Sequence, residues 1–394
     1  MSTDSPFLLF KVECPICKTI NEFEQIKVGA YTEEGRDTDF CPQGISWRNP
    51  KYQATNPLLY FTATCSNCYY TQEFTNNFRE WKNDNAFRTY RLKTIKTKHL
   101  EQLSTADSLV KSLGDAIDIQ RYPNESAIIK LHLAVYDAQL VEHPSNLDLA
   151  RFYLRIGWVF RDLATGEDPA QLVLRGLIRD VEDKYHALRD TIERAGADMD
   201  NLRSSVTAHF ETDRVRADIQ SQMFAFRERY DSEIEKLGQT FENAGQNLST
   251  LQTLMDEYRT AILGGEQGQG EVAFGSGGSF TDFSRRMQTR WNGIVTGERE
   301  ALEKAIRYYK EAYAGGRDIS PGAQQIQASY LIAELSRRIG DYDGAKQFFT
   351  STIKSGQEFI YQNRRDRSRT ALARKILELA IEQGRANLTA AKPA

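Results

Sequence analysis

Long hydrophobic runs are missing from this sequence. Near its start, runs such as Phe7-Leu8-Leu9-Phe10 are too short for the apolar region of a signal peptide or for a membrane span, so a cytoplasmic protein is expected. Cysteine is scarce: there are five in 394 residues, four of them in two C-x-x-C pairs, unlike the dense framework of a secreted disulfide-bonded domain. A bulk excess of either charge is absent too. A formal charge of -3 and a pI near 6.1 give no global reason to expect nucleic acid or an anionic membrane as a partner. The marks of catalysis are also lacking. The five histidines, His99, His132, His143, His186 and His209, are scattered, and neither His-Glu-x-x-His nor Gly-x-Ser-x-Gly occurs. The glycine-rich stretch from Gly264 has no Gly-Lys-Ser/Thr after it and no buried strand before it, so it is expected to be a flexible linker and not a phosphate cradle. No enzyme and no small-molecule substrate are expected.

What the chain has in quantity is helical periodicity. Apolar residues step by four and three from Leu174 through Ile178, Val181, Tyr185, Leu188, Ile192, Ala195, Met199 and Leu202 to Val206. A second run goes from Ile219 through Met223, Phe226, Tyr230, Ile234, Leu237, Phe241, Ala244, Leu248, Leu251, Met255 and Tyr258 to Ile262. A spacing of 3.5 residues draws one stripe along a helix, which has to be buried against another helix. One helix from 174 to 262 would be about 133 Å long, and the linker and short helix that follow cannot span the return. A hairpin bent between Thr207 and Asp218, with arms of about 50 and 65 Å, can. A domain-swapped arrangement of the same helices is the other solution.

The arm interrupts a helical repeat. Tyr153-x2-Ile156-Gly157-x2-Phe160 has the large, large, small, large spacing of a tetratricopeptide first helix. Its second helix is missing where Asp168-Pro169 stands, and Ala305-x3-Tyr309-x2-Ala312 supplies it far downstream. A further repeat is expected from Ile332-Ala333, a turn at Gly340-Asp341-Tyr342 and Ala345-x3-Phe349, with 368–383 capping the stack. Generic helical hairpins would share these degenerate patterns. Agreement of two matches on one insertion point favours the repeat.

At the N-terminal end, Cys14-Pro15-Ile16-Cys17 and Cys65-Ser66-Asn67-Cys68 form two knuckles. Two residues between thiolates let one tight turn aim both sulfurs at one ion, and two such turns supply four tetrahedral ligands. A structural Zn2+ held by Cys14, Cys17, Cys65 and Cys68 is expected, against metal-free buried thiols or a redox pair. Strands are expected at 24–28 and 58–64. Cys41 is left over as an apolar filler or a neighbour of the site. Asp37 and Asp39 have the look of a metal or catalytic pair, but a loop capped through Asx turns is the simpler expectation, and no role is assigned to them. Arg88, Arg91, Lys93, Lys96 and Lys98, with Phe87 and Tyr90 among them, make a basic run that either tracks a phosphate backbone or is a solvated face.

The Cys-Pro-x-Cys opening, Asp37-x-Asp39-Phe40-Cys41, the second knuckle, Arg155-Ile156-Gly157-Trp158 and the stretch Tyr330 to Gly340 resemble a bacterial family catalogued as domain of unknown function 2225. The resemblance covers about 10–163 and 297–385. It implies a zinc ribbon joined to tetratricopeptide-like helices, and it assigns no activity.

A mainly α fold is thus expected, with a small N-terminal β zinc ribbon at 1–80. A discontinuous tetratricopeptide-like domain follows at 81–163 and 297–390. An inserted coiled-coil arm occupies 164–296, with its Gly-rich linker at 264–279. The function expected is that of a cytoplasmic scaffold or adaptor binding protein partners through repeats and coiled coil, with no membrane. Alternatives are a nucleic-acid-associated ribbon protein and a self-assembling filament or oligomer component.

Overall fold

Apolar residues alternate weakly at the N-terminal end, and short antiparallel hairpins form there. In this computed structural model, which describes residues 5–53, 55–165, 169–210, 217–263, 274 and 279–391, β1 (Phe7–Glu13) pairs with β2 (Ile20–Ile26) in a register running from Phe7 opposite Ile26 to Glu13 opposite Ile20. A second hairpin joins β3 (Tyr31–Arg36) and β4 (Pro42–Trp47), and a third joins β5 (Thr62–Thr64) and β6 (Thr71–Glu73). Each C-x-x-C knuckle is therefore the turn of a hairpin, between β1 and β2 and between β5 and β6. The strand expected over 58–64 is cut short. Pro57 opens a 3-10 turn, Pro57–Tyr60, capped by Asn56, whose Oδ1 accepts from the Leu58 N–H at 2.9 Å. The strand after the first knuckle starts earlier than expected, at Ile20.

Helices fill the rest. They are α1 (Asn76–Arg79), α2 (Leu92–Leu103), α3 (Leu109–Asp115), α4 (Pro123–Ala138) and α5 (Asn146–Thr165), then α6 (Pro169–Phe210) and α7 (Ala217–Leu263). After these come α8 (Phe280–Arg290), α9 (Glu298–Gly315), α10 (Ala323–Arg338), α11 (Tyr342–Gln362) and α12 (Arg367–Ala390). The fold is mainly α. The chain separates into one unit of Met1–Glu167 with Glu271–Ala394 and another of Asp168–Gly270.

In the first unit α5 packs on α9, as the split repeat requires. A Cβ on Gly157 would meet Leu302 at 3.0 Å and Ala301 at 3.6 Å, so the missing side chain is what lets the two helices touch. Four residues back along α5 and six on along α9, Tyr153 stacks on Tyr308 with centroids 5.7 Å apart; the two helices run antiparallel. Ala301, Ala305 and Ala312 are buried on the α9 side. α10 packs on α11 and α11 on α12, with Ala345 and Phe349 buried where the second repeat places them. Gly340, at φ +88°, ends α10 in a conformation that suits glycine, and Asp341 caps α11 by accepting from the Gly344 N–H at 2.9 Å.

One boundary differs from expectation. The stretch 280–295, assigned to the end of the arm, belongs to this first unit. Phe280, Met287, Ile294 and Val295 are buried in its core with Phe274. The Tyr153 hydroxyl donates to the Gly293 carbonyl at 2.7 Å, and the Val295 N–H donates to His132 Nε2 at 3.1 Å.

The second unit is α6 and α7, which pack on each other within the chain. The expected bend overlaps 211–216, which lies outside the described residues, and the Gly-rich linker lies largely outside them as well. Helix-on-helix packing buries Tyr185 and Leu248, yet Leu188 stays 50% exposed, Phe224 66% and Phe226 61%.

Candidate metal centre and the charged junction beside it

The two knuckles are built alike. Lys18 N–H donates to the Cys14 carbonyl (3.0 Å) and Cys14 N–H to that of Thr19 (2.8 Å). In the second, Tyr69 N–H donates to the Cys65 carbonyl (3.0 Å) and Cys65 N–H to that of Tyr70 (2.9 Å). The residue after the second cysteine has positive φ in both, +68° at Lys18 and +63° at Tyr69. That reversal turns each pair of sulfurs to the same side of its loop. Tyr69 is then seated against Gly114 of α3, where an added Cβ would fall 2.1 Å from the ring, and its hydroxyl bonds to Asp115.

The sulfurs of Cys14, Cys17, Cys65 and Cys68 all lie within 4.8 Å of one another, with Cys14 to Cys68 at 3.6 Å and Cys17 to Cys65 at 3.5 Å. None is in a disulfide. Metal–sulfur bonds of about 2.3 Å in a tetrahedron place sulfurs roughly 3.8 Å apart, so the donor set fits one ion. Contact with the Cys65 sulfur, supplemented by burial, pushes the Cys14 thiol up to about 12, and the same contact holds Cys65 far below its ordinary value. Sulfurs this close compete for protons, and a divalent cation in their midst would let all four ionise.

The surroundings hold the donors in place. Asn21 bridges the knuckles: its Nδ2 donates to the Thr19 carbonyl (3.0 Å) and to Cys65 Sγ (3.5 Å), and its Oδ1 accepts from Ser66 N–H at 2.9 Å. His99 of α2 is wholly buried, with Nε2 2.8 Å from the Cys68 carbonyl and Nδ1 2.7 Å from Asp137 of α4. Asp137 also accepts from Thr71 N–H at 2.7 Å. Burial works against charge on His99, but the Asp137 carboxylate outweighs it and raises the imidazole above its ordinary value. The second knuckle is thus bolted to two helices. Asn21, His99 and Asp137 escaped the sequence reading because their partners lie 31 to 66 residues away.

Asp37 and Asp39 correct that reading more sharply. They are not merely loop caps. Asp39 is fully buried, taking Arg161 Nη2 at 2.6 Å, Trp158 Nε1 at 3.1 Å and the Cys41 N–H at 3.2 Å. Asp37 accepts from Arg161 at 3.1 Å and pairs with Arg338 at 2.6 Å. Burial raises Asp37, but the hydrogen bond from Arg338, with the Thr38 N–H and Arg161, holds it below the usual carboxylate range. Thr38 donates to Glu334 at 2.6 Å and receives Arg338 at 2.8 Å; Tyr330 donates to the Thr38 carbonyl at 2.8 Å. Arg161 reaches on to Glu298 of α9 at 2.7 Å. The β3–β4 loop is thereby clamped to α5 and α10, and the same Arg161 ties α5 to α9. Three of the segments quoted for the family resemblance, 37–41, 155–158 and 330–340, meet at this junction. Cys41 is buried beside it, outside the four-sulfur cluster, and burial, then Asp39, pushes its thiol up to about 12.

The basic run leads into the helix that carries His99. It forms a π-helical turn, Phe87–Arg91, leading into α2, with all five cations exposed and none paired with an acid among the described residues. Among the described residues no helix is long and apolar enough to cross a membrane.

The chain belongs to the family of uncharacterized proteins conserved in bacteria designated DUF2225, which it matches over residues 9–189 and 289–372. The match leaves out 190–288, which takes in the second half of α6, all of α7 and most of α8, a narrower gap than the expected 164–296. No curated protein and no solved structure matches the chain.

Proposed function

We propose that this protein is a non-catalytic cytoplasmic adaptor, in which a zinc-stabilised ribbon is locked to a helical-repeat body and the α6–α7 arm reaches a protein partner. The observation that carries the reading is the arm itself. A stripe spaced for a coiled coil is only half covered by the one helix pair, with Leu188, Leu202, Phe226, Leu237 and Leu251 each about half exposed or more. Apolar stripes of that kind are retained in water when a further helix covers them. Zinc is the metal we assign to Cys14, Cys17, Cys65 and Cys68. Four thiolates close a tetrahedron with no open position for water, which makes the ion structural.

Native co-purification of the full chain, compared with a chain lacking 168–270, tests the adaptor reading. Partners held by the full chain and lost with the arm are expected; identical sets from both would reject it. Elemental analysis is expected to give about one zinc per chain, unchanged in Cys41→Ser. Protein free of metal with an intact ribbon would remove the zinc assignment.

A second reading, nucleic-acid binding, rests on the exposed unpaired cations of the basic run and on Tyr90, 80% exposed among them. Steep loss of binding between low and moderate salt would favour it, since phosphate contacts release counterions.

A further inference from the structure

A cleft of about 490 Å³ opens between α5, the β3–β4 hairpin and α10. Its cations are paired, with one exception. Arg36 bonds Glu33 at 2.9 Å, and Arg151 reaches Glu73 at 3.0 Å and Asp148 at 3.2 Å. Arg155 has no carboxylate partner among the described residues. Its guanidinium carbon lies over Phe61, 4.1 Å from the ring centroid, and 5.8 Å from that of Trp158, and its hydrogen bond is to the Arg151 carbonyl of its own helix at 3.0 Å. Burial, then the charge of neighbouring Arg151, lowers it to about 10 against the opposing pull of Glu73 and Asp148. Half-buried in the cleft wall and paired with no carboxylate, it is the cation there that an anionic ligand would meet.

We propose that this cleft binds an extended peptide segment through a carboxylate, with Arg155 as the docking point. The inference rests on the adaptor reading and assigns it a second contact, in the repeat body.

The chemistry selects the ligand. A guanidinium has five N–H donors, of which Arg155 uses one edge nitrogen on the Arg151 carbonyl, and its planar fork matches a carboxylate in bidentate fashion. One unpaired cation, with Glu33, Asp39 and Asp162 also in the lining, suits a single negative charge and disfavours a dianionic phosphate. The shape favours a chain. The lining follows α5 from Leu147 to Asp162, about 22 Å at 1.5 Å per residue, the span of roughly six extended residues. Polar groups suited to a peptide backbone are present as well. Tyr309 hydroxyl and the Gln327 side-chain amide line the same cleft and form no hydrogen bond among the described residues.

The test uses the full-length protein and two labelled pools of hexapeptides, acetylated and amidated at their ends. One pool carries Asp or Glu at a fixed position; the other carries Asn or Gln there. Fluorescence polarisation is expected to show the acid pool binding at least tenfold more tightly. Arg155→Gln should abolish the difference, and Arg155→Lys should keep part of it. Because Arg155 has no direct ion-pair partner among the described residues, Arg155→Gln should also leave the melting temperature unchanged or raised, whereas a merely structural arginine would lower it. Equal binding of the two pools, no binding of either, or an unaltered preference in Arg155→Gln overturns the proposal. Succinate binding without peptide binding overturns the peptide assignment in favour of a free organic acid. The chain lacking 168–270 keeps the cleft. If it and the full chain bind neither pool while the arm still retains its partners, the cleft inference fails and the adaptor reading stands.

Discussion

At the scale of single residues, the junction separates two aspartates that look equivalent in the sequence. Asp39 has no exposed surface and holds a guanidinium, an indole and a backbone N–H; Asp37 keeps 23% of its side chain exposed. Removing one partner of a buried ion pair strands the other charge, so Asp39→Ala should cost about 3–5 kcal/mol. Asp37→Ala, screened by solvent, should cost about 1 kcal/mol or less. Urea denaturation followed by intrinsic fluorescence measures both; equal small losses would show that Arg161 finds other partners. The same contrast explains what was legible. The four cysteines announce themselves because the constraint is local, two residues inside one turn. Asp39 does not, because its arginine is 122 residues away and the pairing exists only once the repeat has closed on the hairpin.

At the scale of elements, periodicity located the helices of the repeat and the place where it is split, since buried faces recur every three to four residues whatever surrounds them. It misplaced α8. Phe280, Phe283 and Met287 form a short apolar face with nothing in the sequence to say which body it covers, and from the sequence this helix counts in the return path of the arm. The β3–β4 hairpin was missed for a different reason: most of its residues are exposed or half-buried, so little alternation is present. The corrected boundary changes what can be removed. A chain with 168–270 replaced by a short Gly/Ser loop should stay folded and monodisperse, because closing a short loop costs little and the α5–α9 contact is untouched. Extending the deletion through Val295 should lower the melting temperature markedly, since it strips Phe280, Ile294 and Val295 from the core and the donor from His132. Thermal melts of both, monitored by circular dichroism, decide it; equal stability would return 271–295 to the arm.

At the scale of the whole molecule, the two units answer to different rules. The first is over-determined, with a core shared by ribbon, repeat helices and the 280–295 return, and with charges clamped across elements far apart in the chain. The second has one packing partner per helix and a stripe left partly bare. Function by partner binding is expected to concentrate where that determination is weakest, in the arm. The split repeat has one more effect, felt on the ribosome. α5 ends at Thr165 and its partner α9 begins at Glu298, so roughly 130 residues are made between them. At about 5–20 residues per second the nascent chain carries the Tyr153 and Gly157 face of α5 uncovered for roughly 7 to 26 s before the helix that packs on it emerges. In that interval the half-made repeat is a client for whatever holdase meets it first.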